Sequence, residues 1–297
     1  MLITPATLQA LMTGFKKNFQ DGLNTAESQW RDVATEIMSS NRQETYAWLG
    51  KTTAFREWVG DRVIQNLASH DYTIKNKSFE NTIAVDRDEI EDDSLGIYRE
   101  LFRQLGQDAA HHPDELVFGL LKDGFTKPCY DGQYFFDSDH PVLDENGDEI
   151  SVSNMQSGAS TPWFLLDTSK PLKPMIFQKR RDYDFVAMNR KDDEAVFTRK
   201  EYRYGVDARV NAGFGLWQLA FGSKAALDET NYAAARAAMM SIKGDNGKPL
   251  NVRPTMLLVP PSLEAAALKL VQAETNAAGA TNVYRNTAKV VVCPWIA

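Results

Sequence analysis

The sequence predicts an α+β protein, and three observations carry that prediction. Between Tyr46 and Asp86, β-branched and aromatic residues in partial alternation favour strands, most clearly where Phe79, Ile83 and Val85 fall on one side. Tyr98, Leu101, Phe102, Leu105 and Ala109 then repeat at helical spacing, and Leu116, Val117, Leu120 and Leu121 continue the stripe. After Asp228 the chain reads helix, strand, helix, strand, which is an α/β unit.

The elements follow in order. Thr4-Pro5 is a helix start, and Leu8, Leu11, Met12, Phe15 and Phe19 follow at helical spacing before Gly22. The pattern weakens from there to about residue 41. Asp86 to Asp93 holds six carboxylates in eight residues. Asp92, Asp93 and Ser94 are therefore expected to cap the long helix and to favour its positive end. Pro113 predicts a kink or a restart within that helix, because proline lacks the backbone donor. Gly124 is its expected end.

Residues 125–162, rich in Asp, Gly, Pro, Ser and Asn, read as a loop region with a hairpin at Asn146-Gly147. Strands are expected at Trp163 to Asp167, Pro174 to Lys179 and Ala195 to Phe221. Asp228 or Thr230 caps a helix reaching Ile242, Met256 to Val259 is a buried strand, Ser262 to Glu274 is a helix, and Val290 to Val292 is a last strand.

At 297 residues with 43% hydrophobic and 25% charged content, the chain can bury a sizeable core in one large domain or two ordinary ones. No run of eighteen apolar residues occurs and the N-terminus lacks a secretory pattern, so neither a membrane span nor export is expected. Cys129 and Cys293 lie outside any CxxC spacing, which predicts inert, buried thiols rather than a disulfide framework or cysteine zinc site. A net charge of −7 argues against wrapping nucleic acid with a basic surface.

The most enzyme-like cluster is Asp137-Ser138-Asp139-His140, with His111, His112 and Glu115 upstream. Carboxylates and imidazole supply the lone pairs that a divalent metal or a general base needs. Yet the stretch is turn-prone, aspartates in turns bond their own backbone, and no HExxH spacing is present. Adjacent His111 and His112 point in different directions on a helix. GxSxG is absent, glycines 213, 215 and 222 fit no phosphate-binding fingerprint, and residues 144–149 lack the ligand register of a calcium loop. Lys179-Arg180-Arg181 is too short a patch, beside Asp182 and Asp184, for a nucleic-acid stripe. No catalytic, cofactor or metal site is expected.

What remains is a segment suited to holding neighbours. From Tyr46 onward Trp48, Phe55 and Trp58 stand among Arg56, Glu57, Asp61 and Arg62. An isolated ribbon is marginal in water, so its apolar residues need another surface, and a second copy of the chain is the natural one.

The blocks YAWLGKTTAFREWVGDRVIQNLASHDYTIKNKSFENTIAVDRDEIEDD, DELVFGLLKDGF, CYDGQYFFDSDHPV, RKEYRYGVDARVNAGFGLWQLAFGSKAAL and RPTMLLVPPSLEAAALKL together resemble the major head subunits of Mu-like bacteriophages and prophages. The resemblance spans essentially the whole chain. It implies the Hong Kong 97-type capsid fold, with residues 1–45 as N-terminal arm and 46–71 as extended loop. Residues 72–225 would form the peripheral domain, with a spine helix at about 94–123 and an inserted loop at about 125–162, and 226–297 the axial domain. The common order of this fold places the axial domain directly after the spine helix, whereas here the strand-rich block 163–222 comes before the α/β end.

The implied function is a structural shell subunit, not an enzyme and without cofactors. It would form hexamers and pentamers of an icosahedral head that encloses double-stranded DNA without sequence-specific binding. The expected subunit contacts are the extended-loop residues Trp48, Phe55, Arg56, Glu57, Trp58, Asp61 and Arg62. Only about 45 residues precede that loop, so a separate scaffolding protein and protease are expected, together with portal and decoration proteins and no membrane. Assembly is expected in the host cytoplasm and residence in the virion. The competing readings are an encapsulin-like nanocompartment and a metal-dependent hydrolase built on Asp137, Asp139 and His140.

Overall fold

The computed structural model describes residues 4–47, 49, 72–92, 95–190, 193–244, 247–276 and 278–297. In chain order its helices are α1 (Pro5–Thr25), α2 (Trp30–Val33), α3 (Arg87–Glu91), α4 (Leu95–Lys122), α5 (Glu194–Arg199), α6 (Glu229–Met240) and α7 (Glu264–Val271). The strands are β1 (Ala34–Met38), β2 (Gln43–Thr45), β3 (Thr73–Lys75), β4 (Lys77–Asp86), β5 (His140–Leu143), β6 (Glu149–Val152), β7 (Met155–Gln156) and β8 (Trp163–Leu166). They continue with β9 (Met175–Met188), β10 (Glu201–Phe214), β11 (Ala220–Ser223), β12 (Met256–Val259) and β13 (Lys289–Val292).

Two sheets organise these elements. One is four-stranded, in the order β1-β9-β10-β4, with β1 parallel to β9 and the other pairs antiparallel. Helices α1 and α4 pack on each other and on this sheet around Phe15, Phe19, Phe102, Phe185 and Tyr204. The other is five-stranded, in the order β13-β12-β8-β11-β7, and α6 and α7 pack against it. Every residue of β8 and β12 is buried, which is why WFLL and MLLV read as unbroken apolar runs rather than alternating ones. The chain leaves this sheet after β8, runs out and back through the 14-residue strands β9 and β10, and returns in β11 antiparallel to β8. Thus the α/β unit legible after residue 226 is completed by three strands from before it, β7, β8 and β11. Hydrophobic burial links the layers, since Met175, Ile176, Phe177 and Phe214 at the inner ends of the long strands join the larger core.

Helix α1 begins as its sequence requires. The Thr7 amide donates to Thr4 Oγ1 at 3.1 Å, Thr4 N–H donates back to Thr7 Oγ1 at 2.8 Å, and Pro5 occupies the first turn. Its contact with α4 is unusually close. A Cβ on Gly22 would lie 2.0 Å from the Arg103 carbonyl oxygen, and one on Gly106 would lie 2.1 Å from the Phe19 carbonyl oxygen. Backbone meets backbone here, so neither side can yield by turning a side chain. Helix propensity alone favours Gly→Ala by roughly 0.5–1 kcal/mol. Gly106→Ala is nevertheless expected to destabilise by about 1–3 kcal/mol through overpacking. Gly119→Ala on the same helix, where nothing lies within 4 Å, should stabilise. Urea unfolding of the two variants checks the opposite signs.

The segment after α1 is tied down by Asp114, which is buried on α4. Its Oδ1 accepts the amides of Gln29 at 2.9 Å and Trp30 at 2.7 Å, and Trp30 packs on Phe177 at 4.5 Å.

Several expectations need correction. The long helix runs unbroken from Leu95 to Lys122 with Pro113 inside it, rather than restarting there. Leu101 leaves the buried stripe and faces outward, while Tyr98, Phe102, Leu105 and Ala109 face the core, because the true stripe follows the i, i+4, i+7 positions. Asp86 caps the short α3 through a bond from Asp88 N–H at 2.8 Å; Asp93 and Ser94 lie outside the described residues. Residues 195–199, expected as the start of a strand, belong to α5 (Glu194–Arg199), because Asp193 Oδ2 accepts the Arg190 amide at the entry and Lys200 takes a left-handed conformation at φ 59° at the exit. Hairpin β5-β6 turns at Gly147, φ 88°, as its Asn-Gly pair requires.

Candidate assembly site

The extended-loop residues Trp48, Phe55, Arg56, Glu57, Trp58, Asp61 and Arg62 lie outside the described residues. The two ends of that segment are described, and they are pinned together. Strands β2 and β3 pair antiparallel, with Thr45 opposite Thr73, and Tyr46 N–H donates to the Tyr72 carbonyl at 2.8 Å. Tyr46 Oη donates to Gln178 Oε1 at 2.7 Å, and Gln178 Nε2 donates to the Ile74 carbonyl at 3.1 Å and to Asn76 Oδ1 at 2.8 Å. Tyr72 Oη accepts the Phe214 amide at 2.7 Å. Burial pushes the Tyr72 phenol up to about 12 against the opposing pull of that amide, and burial followed by the Glu44 charge pushes Tyr46 up as well. Both phenols therefore stay neutral and serve as fixed hydrogen-bonding posts.

Exposed apolar side chains mark the outer faces. Ile97 is 75% exposed on α4 beside Leu101, and Phe197 is 84% exposed on α5, with Val186 and Met188 at the same end of the four-stranded sheet exposed too. Charges that could have formed a nucleic-acid patch are used inside the chain. Lys179 Nζ meets Glu36 at 2.6 Å and Asp182 at 3.0 Å, and Arg181 pairs with Asp207.

The two histidines diverge as helical geometry requires. His111 faces outward, 3.5 Å from Asp114 Oδ2, whereas His112 turns inward, its Nδ1 2.6 Å from Tyr183 Oη and its ring edge-on to Phe79. With Leu105, Glu115 and Val206, the inward-facing His112, Tyr183 and Phe79 line a groove of about 320 Å³ between α4 and the sheet. Burial lowers the His112 pKa, only partly opposed by the Glu115 carboxylate. The unfolded chain therefore takes up a proton first as pH falls through the ordinary value of 6.5, and stability is lost from there down to the folded-state value. His112→Gln should flatten that part of a plot of urea midpoint against pH between 7.5 and 5.

Asp137, Asp139 and His140 are not brought together. Asp137 accepts the amides of Ser138 at 2.7 Å and Tyr134 at 3.2 Å, and Asp139 bonds Ser151. His140 instead points into the core at 0% exposure, its ring stacked on Trp217 at 4.0 Å. Its partners were not singled out from the sequence. Nδ1 lies 2.7 Å from Asp131 Oδ2, Nε2 lies 3.2 Å from Asn154 Oδ1, and Cys129 Sγ donates to Asp131 Oδ1 at 3.0 Å. Ligand atoms of Cys129, Asp131 and His140 all lie within 4.8 Å of one another. Burial works to raise the Asp131 carboxyl, but the bonds from His140 and Cys129 and the His140 charge hold it below the usual carboxylate range. The Cys129 thiol is pushed well up, by burial first and then by the Asp131 charge. The available signal was Cys129-x-Asp131 standing nine residues before a histidine; without a CxxC it carried no weight. Cys293 is a buried free thiol pushed to about 12, chiefly by burial.

No described helix is long and apolar enough to cross a membrane.

Among the described residues these groups hold the chain together and leave apolar side chains exposed, and no nucleophile, base and substrate cleft are brought together. Comparison with known proteins agrees. Residues 8–296 match the family model "Mu-like prophage major head subunit gpT". The major capsid protein of Escherichia phage Mu is 47% identical over 289 residues, covering 95% of each chain. The Mu-like prophage FluMu major head subunit of Haemophilus influenzae is 44% identical, covering 93% of this chain and 92% of that one. Among solved structures, the subunit of the bacteriophage JBD30 procapsid superposes with a TM-score of 0.88 at 47% identity, covering 99% of this chain and 100% of that one. The subunit of the JBD30 capsid gives a TM-score of 0.82 at 34% identity, with 100% of both covered. The chain therefore belongs to the Mu-like prophage major head subunit gpT family and is a structural phage capsid protein of α+β capsid fold.

Proposed function

We propose that copies of this chain form hexamers and pentamers that close an icosahedral head around double-stranded DNA, held without sequence-specific contacts. The observation that carries the reading is the likeness to a procapsid subunit over 99% of the chain. The net charge of −7 and the internally paired Lys179 and Arg181 support an inner wall that encloses DNA without gripping it.

In this reading residues 1–45 are the arm and 46–71 the extended loop, clamped at its base by β2 and β3. The four-stranded sheet with α1, and with α4 as spine, is the peripheral domain. The five-stranded sheet with α6 and α7 is the axial domain, entered at β8, left for the long β9-β10 hairpin and re-entered at β11. Assembly takes place in the host cytoplasm with a separate scaffolding protein and protease, and a portal occupies one position of the shell. One solved JBD30 capsid is decorated with minor capsid protein trimers, and a comparable decoration is proposed here.

Trp48, Phe55, Arg56, Glu57, Trp58, Asp61 and Arg62 supply contacts between subunits. A tryptophan can bury roughly 150–250 Å², while an exposed ion pair contributes about 0–1 kcal/mol. Trp58→Ala should therefore reduce shell yield, counted by electron microscopy of protein co-expressed with its scaffold, more than Arg56→Glu does, and the Arg56→Glu loss should shrink as salt rises. Circular dichroism should match wild type in both. A protein that stays monomeric with its scaffold overturns the assembly reading; unchanged yield in Trp58→Ala overturns only the assignment of the loop contact.

A further inference from the structure

We propose that Cys129, Asp131 and His140 form a structural site for one divalent transition-metal ion, zinc by its ligand set, which clips the irregular 126–139 segment onto the core. Thiolate, imidazole and carboxylate are the three ligand types zinc takes in proteins. Here one of each converges: Cys129 and Asp131 come from a turn-rich stretch that holds an isolated bridge between Pro128 and Tyr134, and His140 opens β5. The three side chains are at most 5% exposed, and their ligand atoms lie within 4.8 Å of one another.

A second observation, independent of that convergence, fixes which nitrogen of His140 faces the site. Asn154 is fully buried, and its Nδ2 donates to the carbonyls of Phe135 at 2.8 Å, Ala220 at 3.3 Å and Trp217 at 3.4 Å. Its Oδ1, already accepting the Asp137 amide at 2.9 Å, must then accept from His140, so Nε2 carries a hydrogen. A metal-ligating histidine is ordinarily held in this way, donating its outer N–H to a fixed acceptor while the other nitrogen meets the ion. Stacking on Trp217 fixes the plane of the ring. Asp131 stands between the other two ligands, Oδ1 toward the thiol and Oδ2 toward Nδ1, so its carboxylate can face the ion with both oxygens.

Charge balance also permits the exchange. Without metal, one hydrogen is shared between His140 Nδ1 and Asp131 Oδ2 and one stays on the Cys129 sulfur, so the buried group carries no net charge. On binding, the S–H and Nδ1–H bonds break, both protons leave to solvent, and bonds from the ion to sulfur, nitrogen and oxygen form. The dication is then balanced by thiolate and carboxylate, so the site is neutral again.

The test uses the full-length protein. Purified with zinc present and dialysed free of excess, it should retain about one zinc per chain by elemental analysis, and removal by a strong chelator should lower the melting temperature. Cobalt(II) added to the stripped protein should give an intense thiolate-to-cobalt charge-transfer band and a tetrahedral d–d spectrum, reversed by zinc. Cys129→Ala and His140→Gln should lose the band and weaken zinc binding at least a hundredfold, while Cys293→Ala and Asp137→Asn keep both. Folded wild-type protein that retains less than a tenth of an equivalent and gives no cobalt band overturns the proposal, and so does a band that survives Cys129→Ala. The wild-type titration decides even where the ligand variants do not fold.

Discussion

Phe102→Ala should destabilise the subunit by about 3–5 kcal/mol, the range for truncating a large buried aromatic. The Phe102 ring is fully buried where α1, α4 and the four-stranded sheet meet. It stacks on Phe15 at 4.2 Å and stands edge-on to Tyr204 at 5.4 Å and to Phe185 at 5.8 Å. The hole left by its removal is walled by rigid rings, and the two helices already touch backbone to backbone where Gly22 meets Arg103 and Gly106 meets Phe19, so the neighbours can collapse into it only in part. The expected readout is a large fall in urea midpoint and a protease-sensitive N-terminal segment, since Phe15 loses its main partner on α4. Ile97→Ala, on the exposed face of the same helix, should change subunit stability by no more than about 0.5 kcal/mol. Equal losses in the two variants would show that α4 is not buried on the face described.

Asn154→Ala should be comparably costly for a different reason. One side chain accepts the Asp137 amide and the His140 ring N–H and donates toward three carbonyls, joining the 126–139 segment to β11 and to Trp217. Truncation strands two donors, and each unsatisfied buried group costs about 1–3 kcal/mol, so a loss of roughly 2–6 kcal/mol is expected. Asn154→Asp keeps the acceptor but turns the donor toward carbonyl oxygens into a charge, and should do no better. Chemical denaturation of both variants, with hydrogen exchange at the Asp137 amide, checks the assignment. An Asn154→Ala midpoint within error of wild type would mean that water replaces the side chain without loss.

These two sites differ in how far the sequence announced them. Phe102 was legible because a helical stripe repeats locally and its period survives whatever packs against it. The same reasoning misplaced Leu101, since a stripe's edge is decided by the curvature of the neighbour it meets. Asn154 was invisible, because an isolated polar residue in a loop has no periodicity, and its five partners come from two separate stretches of chain, 135–140 and 217–220. His140 was noticed for chemistry it does not perform with Asp137 and Asp139, and its true partners Asp131 and Asn154 lie on either side of it across turns whose path no spacing rule specifies.

By itself the sequence determined the α+β class, the capped first helix, the long helix α4, the Asn-Gly hairpin, the WFLL strand, the buried MLLV strand and, through its long matching blocks, membership of the phage capsid family. All of these rest on local pattern or on whole-chain likeness. Only the tertiary structure decided that β8 and β11 pair with each other and flank a hairpin from the other sheet, that Gly22 and Gly106 let two helices touch backbone to backbone, and that α5 interrupts a strand-rich run. Each of those depends on contacts between residues far apart in the chain, where free energy is set by what fits in space and not by what is adjacent in order.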